Sequence, residues 1–192
     1  MQYQLLTVSK YTAVFSGLVF MVGVGAARAD VKLDITYSTY QLRGLSRQAI
    51  HEDLHRVAKR DSDGIIEGEV SDDWHWNFQF EAAENSCRVS SDEIILKLNI
   101  LLPTWADEER ADQAVRAAWA SYFQELKAHE YGHKTIAVDA AEQVSKLTHG
   151  ATAPGSCTAL EQSLNRAAKR IVENSEKAQD QLEATPPSYT LE

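Results

Sequence analysis

Two stretches of the chain place histidines four residues apart with a glutamate after the first: "HEDLH" at residues 51 to 55 and "HEYGH" at residues 129 to 133. On a helix, side chains at i and i+4 project from one face, so both imidazoles can reach a single ion. The intervening glutamate is then placed to take a proton from a water that zinc has acidified. Both stretches satisfy this spacing, and the spacing alone does not choose between them.

Helical phase does choose. Around the second motif an apolar stripe runs Val115, Trp119, Tyr122, Leu126, then Ile136, Ala140, Val144 and Leu147. Continued across the gap at the same 3–4 spacing, it lands on His129 and His133. Unpaired imidazoles on an inward face are costly, and a shared ion satisfies them. Gly132, unfavourable inside a helix, leaves room for another element to approach beside the ligands. Around the first motif the stripe is Ile50, Leu54 and Val57, and His51 and His55 fall one residue past it, among Glu52, Asp53, Arg56 and Lys59. That is the pattern of a solvated face. The candidates are therefore His129 and His133 as ligands of Zn2+ and Glu130 as general base.

A catalytic zinc usually takes three protein ligands. Asp139 has the spacing of the extended metzincin motif, but Ile136 stands where that motif turns on a glycine, and on a continuing helix Asp139 points away. His149 lies about 24 Å further along a straight helix. A helical hairpin with its midpoint near Ala153 would instead bring Glu173 level with His133, or Glu176 one turn on. The competing reading is that both are surface acids on a charged helix.

The elements that must position these residues read as follows. "VKLDITYSTYQL" (31 to 42) alternates and is rich in β-branched and aromatic residues, as a strand is. Ser46 caps a helix to about Lys59, and "DSDG" (61 to 64) is a turn. "IIEGEV", "WHWNFQFE" and "CRVSSDEIILKLNILLP" supply two or three further strands closed by Pro103. The pattern is helical from about Ala106 to Thr148, broken at "THGATAPGSC", and helical again from about Thr158 to Glu183. A helix from Ala106 would span about 65 Å, so a bend at Gly132 or an earlier break is expected. Strands first and helices last predict an α+β fold: an N-terminal strand and helix, a small antiparallel sheet, and a long C-terminal helical hairpin carrying HExxH. "ILKLNILL" reads equally as a central strand or as an edge that pairs with a substrate backbone. His75 reads as a strand-face histidine, and the four tryptophans as core.

The first 29 residues read as a signal peptide: Lys10, an apolar run from Tyr11 to Ala27, and the pattern Ala27-Arg28-Ala29. Residues 30–192 then form a single zincin-like domain, periplasmic or secreted. Loss of Lys10 and Arg28 would take the net charge from −9 to −11. So acidic a chain, without a basic cluster, argues against nucleic acid and against stable membrane association. Cys87 and Cys157 are an even pair in an exported chain, most simply a disulfide.

The order strand, helix, "DWHW", a cysteine, "ILLPTW", a helix with Trp119, Tyr122, Phe123 and Leu126 leading into "HEYGH", and then "SCTALE" resembles a bacterial family of predicted secreted zinc-dependent proteases, catalogued as domain of unknown function 922. The likeness runs from about Tyr37 to Ala168 and is most specific from Trp119 to His133. It implies an exported metallopeptidase acting on peptide or protein, with His129 and His133 as zinc ligands and Glu130 as catalytic acid/base. A different class also accommodates the motif: a non-catalytic periplasmic binding or inhibitor domain that retains it.

Exported protein is expected to begin at Asp30. Intact-mass measurement of material recovered from outside the cytoplasm checks this, and retention of residues 1–29 would overturn it.

Overall fold

The computed structural model describes residues 31–62, 64–185 and Leu191, so the expected signal segment lies outside the described residues. In chain order the elements are β1 (Val31–Leu42), α1 (Arg47–Val57), β2 (Lys59–Arg60), β3 (Ile65–Ile66), β4 (Glu69–Ala82), β5 (Ser86–Trp105), a 3-10 turn (Glu108–Arg110), α2 (Gln113–Thr148), β6 (Thr152–Pro154) and α3 (Cys157–Glu183). The fold is α+β: a small sheet with three helices, the two long ones last.

The 20-residue β5 is the axis of the sheet, which is ordered β1-β5-β4 with β6 also on β5. "ILKLNILL" is therefore central, with β1 on one side and β4 on the other, and its backbone is occupied along most of its length. The sheet is mixed and not antiparallel throughout, because β1 runs parallel to β5, from Val31 opposite Ile94 to Leu42 opposite Trp105. Alternating hydrophobicity encodes which face of a strand is buried, not which way its neighbour runs, so this pairing was invisible in the pattern. "EV" and "WHWNFQFE" are one strand, β4. Likewise β5 continues through Pro103 to Trp105, with only β1 beside it once the β4 pairing stops at Leu101.

Along β5 from Ile94 to Leu102 the buried side chains are Ile94, Leu96, Leu98, Ile100 and Leu102, all even-numbered, whereas nearer its start they are Cys87 and Val89. The change of parity falls at a β-bulge: Gln79 pairs with Ser91 and Phe80 with Val89, which leaves Ser90 unopposed. One unpaired residue turns the remaining side chains to the other face.

The even face of β5 packs against α2 and α3. Ile94, Leu96 and Leu98 meet Ala137, Ala141 and Val144 of α2 and Ala168 of α3, small residues that let the helices lie close. At the other end of the sheet, Trp119, Tyr122 and Leu126 of α2 join Leu42, Ile100 and Trp105 and the buried face of α1, Ile50 and Leu54. Trp105 and Trp119 are core; Trp74 and Trp76 are half-buried on β4, with Trp76 Nε1 donating to Asn165 of α3 at 2.9 Å.

The expected earlier break in the helix is the 3-10 turn and the bend at Ala111–Asp112. From Gln113, α2 runs 36 residues, about 54 Å, straight through Gly132. Among the described residues no helix is long and apolar enough to cross a membrane.

Cys87 and Cys157 are bonded, joining β5 to the first residue of α3 across a separation of 70 residues. Chain entropy assigns such a loop about 4 kcal/mol. The Cys87→Ala/Cys157→Ala protein should therefore unfold at a lower urea midpoint, having lost about 2–4 kcal/mol of stability. An unchanged midpoint would show that the bond adds nothing to the folded state.

Candidate metal centre

α2 carries its buried face as Trp119, Tyr122, Leu126, Glu130, His133, Ala137, Ala140, Ala141 and Val144. The expected stripe is rotated slightly: Glu130 and His133 lie at its centre, 4% and 6% exposed, and His129 sits on its flank, half-buried. All three line one cleft of about 740 Å³, with Gly68 and Glu69 opposite them and Glu183 of α3 at its end.

His129, His133 and Glu183 each aim one ligand atom at a common point, these atoms all lying within 4.8 Å of one another. His133 Nε2 is 3.2 Å from His129 Nε2 and 3.1 Å from Glu183 Oε1, and Glu183 Oε2 is 3.7 Å from His129 Nε2. Two imidazole nitrogens and a carboxylate oxygen are a donor set suited to zinc with one position left for substrate or water. The residues present fit the ion.

The acid in this cluster is Glu183, not Glu173, which is exposed elsewhere on α3. Glu176 is exposed as well. The error lies in the hairpin midpoint. His133 is bonded across the interface to Gln179, and His129 faces Glu183, so the level point is Ser156 and not Ala153. The connection does not turn tightly. It runs extended as β6 along the start of β5, and α3 begins only at Cys157. Three residues of midpoint become six residues of partner. The signal that was available is the stripe of α3 itself: Leu160, Leu164, Ala168 and Ser175 are buried. Continued at 3–4 spacing, that stripe reaches Gln179 and Leu182–Glu183 and passes by Glu173.

Close packing brings the end of α3 in. A Cβ at Gly132 would lie 2.8 Å from Leu182 Cδ2, so Leu182 occupies the space a side chain at 132 would take. Glu183 is the next residue. On the opposite wall, a Cβ at Gly68 would lie 2.5 Å from Glu130 Oε1 and 2.8 Å from its Cδ and Cγ. The backbone at 67–68 is drawn onto α2 by two tyrosines: Tyr40 Oη donates to the carbonyl of Glu67 at 2.7 Å, and Tyr122 Oη to the Glu67 carboxylate at 2.8 Å. The sequence reading missed Glu67, Gly68 and both tyrosines in this role, because only the tertiary fold brings them together. Burial, then the charges of Glu183 and Glu69, push the Glu130 carboxyl up to about 8.

The other histidines do not form a comparable group. The rings of His51 and His55 are 4.3 Å apart on α1, with His55 exposed, and among the described residues no acid completes a cluster with them. His75 pairs with Asp73 on the open face of β4, and His149 with Asp92 at 3.2 Å near the end of α2. Asp139 is exposed.

If the Leu182–Gly132 contact sets the position of Glu183 and the cluster holds zinc, then Gly132→Ala should weaken that binding at least about tenfold, the lower end of what changes around a ligand shell cost. Folding stability should move by no more than about 1 kcal/mol, the helix-propensity difference between the residues. Adding Leu182→Ala should recover the affinity. Zinc titration of the single and double variants checks this, and unaltered affinity in Gly132→Ala would overturn it.

Comparison with curated proteins and with solved structures gives no match. Residues 37–186, most of the chain and all of the cleft's histidines and acids, match the family described as bacterial protein of unknown function (DUF922). The chain belongs to that family.

Proposed function

We propose that the protein is an exported zinc metallopeptidase, with the ion held by His129, His133 and Glu183 and with Glu130 as general base. One observation carries the reading: three ligand atoms converge within 4.8 Å, from two helices, beside a buried carboxylate that the same cleft exposes to a substrate. The disulfide fits an oxidising compartment, periplasmic or outside the cell.

A bound zinc ion would supply Lewis-acid polarisation of the scissile carbonyl and a lowered pKa for water. The remaining work falls to the chain. Glu130 takes a proton from the attacking water at its carboxylate and returns it to the departing amine nitrogen, so that the C–N bond breaks without releasing an unprotonated amide. Its place beneath Gly68 limits the solvent around that carboxylate. Glu67, fixed by Tyr122, keeps the wall of the cleft against α2. Residues Ile65 to Val70 line the cleft and would flank an extended peptide bound in it.

Zinc content and peptidase activity, measured together on variants, test the proposal. Glu130→Gln keeps the side chain's shape without its basicity; it should retain near-normal zinc and lose about 10²-fold or more in turnover of a mixed peptide library. His129→Ala, His133→Ala and Glu183→Ala should lose the metal. His51→Ala with His55→Ala should change neither quantity. Loss of zinc in that double variant with retention in His129→Ala would assign the metal to the wrong helix. Stoichiometric zinc in a protein that cleaves nothing would favour the non-catalytic binding or inhibitor domain.

A further inference from the structure

Gln179 reaches across from α3 and touches His133 twice. Its Oε1 lies 2.5 Å from His133 Nδ1, and its Nε2 lies 3.2 Å from the backbone carbonyl oxygen of the same residue. The second contact determines the first. A carbonyl oxygen only accepts, so the amide must present its NH2 group there. That leaves the amide oxygen, itself only an acceptor, facing Nδ1. The proton of a neutral His133 ring must then sit on Nδ1, and the lone pair on Nε2. Nε2 is the atom that points at His129 and Glu183.

The consequence for the cluster is electrostatic. In this tautomer the His133 Nε2 lone pair is 3.1 Å from a Glu183 carboxylate oxygen, and neither atom brings a hydrogen to the contact. Two acceptors at that distance repel unless a cation, a proton or a metal ion, lies between them. Gln179 thus prepares an electron-rich point. Among the described residues His129 has no such partner at Nδ1, so one imidazole is held and the other is adjustable. Gln179 has no other role in the cleft: it is absent from the cleft lining and makes both of its side-chain bonds to His133.

We propose that Gln179 is a positioning residue which, through paired hydrogen bonds to the ring and carbonyl of His133, fixes the Nδ1–H tautomer and reserves Nε2 for a divalent cation. The tautomer part stands independently of any activity; the cation part rests on the metal centre proposed above.

Two measurements on the full chain separate them. The first is the ring 15N spectrum of the metal-free protein at alkaline pH, where imidazoles are neutral. His133 should show the Nδ1–H pattern in the wild type and in Gln179→Glu, which gives up the bond to the His133 carbonyl but keeps an acceptor that turns to Nδ1–H. In Gln179→Leu, which keeps the bulk and removes both bonds, the pattern should shift towards a mixture. An Nε2–H pattern in the wild type would overturn the proposal, whether or not the protein binds metal. The second is titration with Zn2+ and with Co2+ against a competing chelator. Gln179→Leu should bind about 10–100-fold more weakly, the usual cost of removing a partner behind a ligand histidine, and Gln179→Glu should stay near the wild type. A purely structural residue would give equal losses in both variants, or none, and either result would overturn the proposal. If Gln179→Leu fails to fold, Gln179→Glu and the wild-type spectrum still decide it. Failure of the wild type to bind either metal would reject the metal centre and, with it, the cation part of the proposal; the ring spectrum would still decide the tautomer.

Discussion

Leu182 rests on α2 at the one position of that helix, Gly132, where no side chain stands in its way. This contact fixes the relative height of the two long helices, and the cluster depends on that height. One helical turn of slip would move Glu183 about 5.4 Å from the imidazoles and replace Gln179 with a different neighbour of His133. The same glycine sits inside the histidine motif, so the histidine spacing and the helix packing are specified by overlapping residues. A helix-weakening residue is tolerated there because the packed length on either side, from Trp119 to Thr148, is supplied by buried contacts and not by local propensity.

Much of this was legible in the chain, and the limits are physical. The two motifs were separated by phase, since a helix of this length leaves little freedom in which face it buries. The strand-then-helix order and the cysteine pair followed from pattern and number. The direction of β1 did not, because parallel and antiparallel neighbours demand the same alternation. The third acid was misplaced because a hairpin's level is set by the path of its connection. "THGATAPGSC" reads as a turn by composition, yet it pairs along β5 and carries the chain onward before α3 begins. Gly68 and Tyr40 lie far from the motif in sequence, and nothing in their own neighbourhoods marks them. Tyr122, on the stripe two turns before His129, reads as core because only the fold supplies Glu67 as its hydroxyl's partner.

The cleft is assembled from unlike walls. One is a rigid helix face; the other is a short extended segment pulled inward by hydroxyl groups from β1 and α2. Glu130 is buried between them, which makes its carboxylate both expensive to ionise and well placed to receive a proton. The polar cost of that placement is carried by the hydrophobic packing around Trp119, Tyr122 and Leu126 directly before it on the same helix.

The unopposed Ser90 has an effect far from its own strand. Cys87 shares the helix-facing side with Ile94 and Leu96 only because the count between them is off by one. In an unbroken strand Cys87 would have the parity of Lys97 and look out at solvent, with Cys157 beyond its reach. The bond tethers the start of α3, and α3 delivers Gln179 and Glu183 at its other end. A single-residue offset in the pleat of β5 is thus upstream of the whole cluster, because it reconciles the odd spacing of Cys87 and Ile94 with a shared face.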